Sequence, residues 1–210
     1  GTLPGSGDDV YANGKTVTID QNVTCLSLRT EAEGGNGVVA GGLFECSITA
    51  TVDVSGGVGI RSGTSTALRF TGVAGVQLTV LGNVTGGIAS DRFGIYHAGA
   101  GNLVVAGNVT GGPATRAYGI QIGAGSVSIT GNVTGGSGAG SRGIYSTAGS
   151  MSITGNVTGG SGGDSWGIYS GMTSVSITGN VTGGINVTAH GVNNGSGTVT
   201  ISGNVTGGTN

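Results

Sequence analysis

Between residues 77 and 206 the apolar side chains fall on every second position in short runs, and the runs recur. Ser126–Gly149 shows the unit most cleanly: S-V-S-I-T, then G-N-V-T, then, after a glycine-rich link, G-I-Y. Alternation with a period of two marks a strand with one buried face. Val127, Ile129 and Val133 therefore point inward, and Ser126, Ser128, Thr130, Asn132 and Thr134 outward. The same inward columns read Met151/Ile153/Val157, Val175/Ile177/Val181 and Val199/Ile201/Val205 further along. The hexapeptide G-N-V-T-G-G starts at Gly82, Gly107, Gly131, Gly155, Gly179 and Gly203, so the unit is about 24 residues long. Three strands of this length cannot form a core alone. Stacked units, in contrast, pair every strand with its counterpart one coil later in a parallel ladder. The pattern predicts an all-β fold, a parallel β-helix (β-solenoid) with three short strands per coil, right-handed as parallel crossovers are. Glycine and β-branched residues at these densities exclude helices. A four-stranded propeller blade would need about 40 residues.

Upstream the period loosens but the alternation persists, in Thr16–Leu28 and again in Ser47–Ile60. Residues 1–40 read as an entry and capping segment with the first rungs, and 41–210 as the repeat domain. The entry segment carries Asp8, Asp9, Asp20, Glu31 and Glu33, and charged, irregular sequence suits a cap over an open ladder edge. No such pattern follows the last repeat, so more protein or a partner is expected to cover that edge. Cys25 and Cys46 are separated by close to one coil, which would set them on successive rungs. A disulfide fits that spacing, and a pair of buried thiols is the favoured state.

Composition narrows the classes. Fifty glycines among 210 residues, with 8% charged, exclude an ordinary helical or α/β protein. Collagen is excluded because glycine keeps no three-residue period and only Pro4 and Pro113 are present. The recurrent Val and Ile exclude a solvated Gly-rich linker. A net charge of −2 with seven scattered basic residues offers no footprint for nucleic acid. No apolar run of about 18 residues is present to insert in a membrane.

The candidate chemistry lies on the outer columns. Phe93, Tyr118, Arg142, Trp166 and His190 stand just before the glycine of each G-I-Y-type strand, and Tyr96, Gln121, Tyr145, Tyr169 and Asn193 stand two places after it. If both columns face outward, Phe93, Tyr96, Tyr118, Arg142, Tyr145, Trp166 and Tyr169 form a surface or interface stripe able to stack on sugars or dock a subunit. If the glycine marks a bulge, the first column instead fills a corner of the core. A second outer feature is hydroxyl: Thr79, Ser128, Ser152, Ser176 and Thr200 in one column, and Thr85, Thr110, Thr134, Thr158, Thr182 and Thr206 in another. Such ladders resemble ice-binding faces, but Val104 interrupts the first, and Leu81 and Ala106 intrude beside it.

N-V-T is a glycosylation sequon, found at Asn22, Asn83, Asn108, Asn132, Asn156, Asn180, Asn186 and Asn204. Rungs lie about 4.8 Å apart, too close for a glycan on each, so the asparagines read as a structural corner ladder. Gly159–Gly167 matches a calcium-binding nonapeptide, but the equivalent coil has Gly140 where Asp164 stands. An ion held between consecutive turns needs the motif repeated, so neither metal nor cofactor is expected. Asp91 and Asp164, the only acids after Gly82, would lie three coils or about 14 Å apart. Paired carboxylates for glycoside hydrolysis stand about 5–10 Å apart. His97 and His190 are also coils apart. No catalytic residue is assigned, and the chain reads as a non-enzyme.

The opening G-T-L-P-G-S-G-D-D-V-Y-A-N-G-K-T-V-T-I-D, followed by N-V-T-C-L-S-L-R-T, resembles segments of tailed-bacteriophage virion proteins such as tail fibres, spikes, head fibres and capsid decoration proteins. The likeness covers Gly1–Thr30. It implies a structural component located on the virion, outside the cell. Its implied partners are other virion proteins, further copies of itself with a homotrimer favoured, and a host-surface glycan. The alternative is a carbohydrate- or receptor-binding adhesin solenoid, with ice binding third.

Overall fold

In the computed structural model, residues 66–208 are described except Val187 and the side chains of Met172 and Thr173; before residue 66 the description covers the backbone of seven short strands. The chain is an all-β parallel solenoid of about six turns, roughly 24 residues per turn. At a rung spacing of about 4.8 Å, six turns make a rod about 29 Å long.

Three ladders build it. The first joins Leu68–Gly72, Ile95–His97, Ile120–Ile122 and Ile144–Ser146. The second joins Gln77–Leu81, Asn102–Ala106, Ser126–Thr130 and Ser150–Thr154. The third is the N-V-T ladder, running from Asn83–Thr85 through Val109–Thr110, Val133–Thr134, Val157–Thr158 and Val181–Thr182 to Val205–Thr206. The corner between the first two ladders shortens along the chain, from Val73–Val76 and Ala98–Gly101 to Gly123–Gly125 and Thr147–Gly149. In the next coil the corner keeps three residues, 171–173, but Met172 and Thr173 pair with the coil after, so Ile168–Thr178 runs as one strand of 11 residues through both ladders.

The first rungs begin early. Thr16–Ile19 pairs with Ser47–Ala50, and Val23–Thr24 with Val54–Ser55, so the alternation read in Thr16–Leu28 does enter the ladders. This first coil is longer than the repeat, because Thr16 pairs with Ser47. Cys46 pairs forward with Leu68. Cys25, and with it the expected stacking of the two cysteines on successive rungs, lies outside the described residues, as does any capping role of residues 1–40.

Inside, Val127, Ile129, Val133, Met151, Ile153, Val157, Val175, Ile177 and Val181 are buried as the alternation requires. Full burial of each such side chain is worth about 1.5–3 kcal/mol relative to exposure. Two devices hold the corners. Asn83, Asn108, Asn132, Asn156 and Asn180 each accept a bond from the backbone N–H of the corner asparagine one coil on, at 2.8–2.9 Å. The corner asparagine is therefore structural, and its side chain pairs with backbone, not with another amide. At the following Gly-Gly corner the turns nearly touch: a Cβ on Gly112, Gly136 or Gly160 would lie 1.7–1.9 Å from the carbonyl oxygen of the glycine one coil before. No side chain fits there.

Candidate functional site

The outer face of the first ladder gathers the aromatic residues. Period two sends Tyr96, Tyr145 and Tyr169 outward between buried neighbours, and register stacks Tyr96, Gln121, Tyr145 and Tyr169 on successive rungs. Phe93, Tyr118, Arg142 and Trp166 form the adjoining column. The stripe faces outward and is half-buried, with Tyr118 only 9% exposed. The first column therefore does not fill the core.

The two columns interleave into one stack. Ring centroids lie 5.1 Å apart for Phe93–Tyr118, 5.2 Å for Tyr118–Tyr145 and Tyr145–Tyr169, and 5.6 Å for Trp166–Tyr169. Phe93 also meets Tyr96 at 6.2 Å, and His190 tilts onto Trp166 at 5.7 Å. Arg69 lies over the Tyr96 ring at 4.5 Å. Arg142 occupies the gap in its column, its guanidinium 4.6–5.3 Å from the rings of Tyr118, Tyr145, Trp166 and Tyr169. Its buried Nε has no hydrogen-bond partner, so the rings themselves are its surroundings. All seven residues of the expected stripe are thus brought together. Their faces are turned along the rod toward one another, and mostly their edges meet solvent. Burial pushes the Tyr118 phenol above its ordinary range.

One turn earlier in each coil the backbone enters the left-handed region, at Asp91 (φ 57), Arg116 (φ 52), Gly140 (φ 68) and Asp164 (φ 56). The side chains pair between coils: Arg116 holds Asp91 at 2.7 and 2.8 Å, and the Thr188 hydroxyl donates to Asp164. Asp164 of the nonapeptide-like stretch is thus one member of a column of coil-to-coil contacts. Among the described residues no group of three or more His, Cys, Asp or Glu comes together, and no helix is long and apolar enough to cross a membrane.

Two features escaped the sequence reading. His97 is fully buried and stacked on Phe70 at 5.1 Å. Its Nδ1 stands 3.2 Å from the Phe70 carbonyl and its Nε2 3.0 Å from that of Gly101. A neutral ring donates to only one of these, and burial pushes its pKa down. The column there runs Phe70, His97, Ile122, Ser146, and no periodic signal marks the histidine. The second feature is a groove of about 580 Å³ between Thr110, Thr134, Thr158 and Thr182 on one wall and Pro113, Ser137, Ser161 and Ile185 on the other. The threonine column expected as an outer ladder is therefore one side of a trough, and not a flat plane. Comparison with protein-family models, curated proteins and solved structures finds no match to this chain.

Proposed function

We propose that the chain is a non-enzymatic structural rod of a tailed-phage virion appendage: a fibre, spike or capsid decoration on the outside of the particle. One observation carries the rod reading over its rival. The rings of the stripe use their faces on each other and on Arg142, whereas a platform for sugars must keep ring faces open. Such a stack ties neighbouring coils along the outside as the Val/Ile columns tie them inside. The in-register ladders support the same reading, since a solenoid in which each coil touches only its neighbours is stiff along its axis. The phage assignment draws on the resemblance of Gly1–Thr30. Other virion proteins and further copies of the chain are its expected partners.

The test uses the purified chain on a glycan array and in light scattering, beside a Tyr145→Ala/Tyr169→Ala variant. The rod reading expects no saturable glycan binding and a lower melting temperature for the variant. Glycan binding by the parent that the variant loses would replace the rod with the adhesin. For the virion assignment, particles purified from the source culture should carry the chain through a density gradient; its absence from them would end that assignment.

A further inference from the structure

We propose that Tyr145 and Tyr169 form an oxidative modification site, at which a one-electron oxidant joins the two rings into a dityrosine staple between adjacent turns. The proposal goes beyond the rod reading and does not need the phage assignment. Tyr145 and Tyr169 are direct register partners in a parallel ladder, with ring centroids 5.2 Å apart and planes at 21°. Both are half-buried, so each ring is held in place while its outer edge reaches solvent.

Among the described residues no other tyrosine pair combines these conditions. Tyr118 lies in the neighbouring column, tilted at 38° to Tyr145 and almost buried. Tyr96 is separated from Tyr145 by the rung of Gln121. Trp166, at 5.6 Å from Tyr169, is a second oxidisable ring in contact with the pair and can pass an electron vacancy to it.

The chemistry balances as follows. The oxidant takes one electron from each phenol, and each phenol O–H releases its proton to water. The two phenoxyl radicals, with spin density on the carbons ortho to oxygen, form one carbon–carbon bond there. Each coupled ring then shifts its ortho hydrogen from carbon to oxygen and recovers its aromaticity and hydroxyl. Net, two electrons go to the oxidant and two protons to solvent, and the chain is lighter by two hydrogens. Ordinary bimolecular coupling waits on encounter, whereas register here holds the partners side by side.

The experiment irradiates the full chain with a ruthenium polypyridyl sensitiser and persulfate as electron acceptor, then cleaves with cyanogen bromide and trypsin. The only methionines are Met151 and Met172, and Arg142 is the last basic residue. Tyr145 therefore leaves in fragment 143–151 and Tyr169 in fragment 152–172. We expect these fragments joined, two hydrogens below their summed mass, with dityrosine fluorescence. The yield should be several-fold higher from folded chain than from chain irradiated in denaturant, and the stapled protein should melt higher. Tyr145→Phe and Tyr169→Phe, which keep the ring stack, should each abolish the product, and Tyr118→Phe should leave it. Equal yield in denaturant, linkage chiefly between chains, loss on Tyr118→Phe, or tyrosine consumed without this linkage would overturn the proposal. None of these outcomes bears on glycan binding or on the virion test, so the two readings fail separately.

Discussion

Adding one methyl group at Gly136 should do more damage than removing several from the surface. A Cβ there would stand 1.8 Å from the Gly112 oxygen, 2.8 Å from the Ala117 Cβ and 2.9 Å from the Ala117 oxygen. The worst contact is with backbone, so no rotamer change relieves it. The Gly112 and Gly136 turns must part by about 1.5 Å to restore ordinary contact distances. That opening stretches bonds held by the same corner, Gly136 N–H to the Ala117 oxygen at 2.6 Å and Gly111 N–H to the Thr134 oxygen at 2.9 Å. Overpacking costs about 1–3 kcal/mol and each lost bond about 1 kcal/mol, so Gly136→Ala should cost about 3–5 kcal/mol. For a chain of this size that is a fall of about 6–20 °C in Tm. The control is Gly123→Ala, whose nearest contact would be the His97 oxygen at 3.9 Å; it should stay within about 0.5 kcal/mol of the parent. Both are measured by thermal and urea unfolding followed by circular dichroism. A Gly136→Ala protein that melts with Gly123→Ala would show that the corner has slack, and would refute close approach as the reason for its glycines.

Three further outcomes are expected. Because His97 has a folded-state pKa below its ordinary 6.5, the native state binds fewer protons than the unfolded one. Stability is then complete above about pH 6.5 and is lost below it, at up to about 1.4 kcal/mol per pH unit; urea unfolding at pH 5 and pH 8 should show this, and His97→Gln should remove the difference. Arg142→Ala should cost about 1–2 kcal/mol as the guanidinium leaves four rings, whereas Arg142→Phe, which continues the stack, should melt at or above the parent. Asn132→Ala should cost about 1 kcal/mol by removing the acceptor for the Asn156 N–H, and Asn132→Asp, which keeps an acceptor, should unfold close to the parent.

The columns were legible because they rest on local alternation. Val127 and Ile129, then Met151 and Ile153, are two apart on strands and one repeat apart along the chain, and both spacings can be read without coordinates. The adjacency of Tyr145 and Tyr169 followed from the same repeat. What the repeat could not convey is direction within a rung. Whether rings present faces or edges depends on side-chain torsions, so the stripe was foreseen and its closure on itself was not. Arg142 occupies a ring position in the stack although nothing in its residue type announces it. His97 is a single departure within an inward column, and a single departure has no period. The 24-residue period does not reach back to the first rungs, where Thr16 pairs with Ser47. Val205 keeps its place in the column yet is 52% exposed, because no later turn among the described residues packs over it.

The shrinking corner between the first and second ladders has a consequence for how such a chain can change. Residues gained or lost at Val73–Val76 or Ala98–Gly101 leave Leu78, Leu103 and Val127 aligned, so length variation there passes outside the ladders. Variation inside a strand would instead turn an entire face inside out. The corner is therefore the seam at which peptides can be grafted, one per turn, and a line of corners offers evenly spaced mounting points along a rod whose cross-section its passengers do not alter.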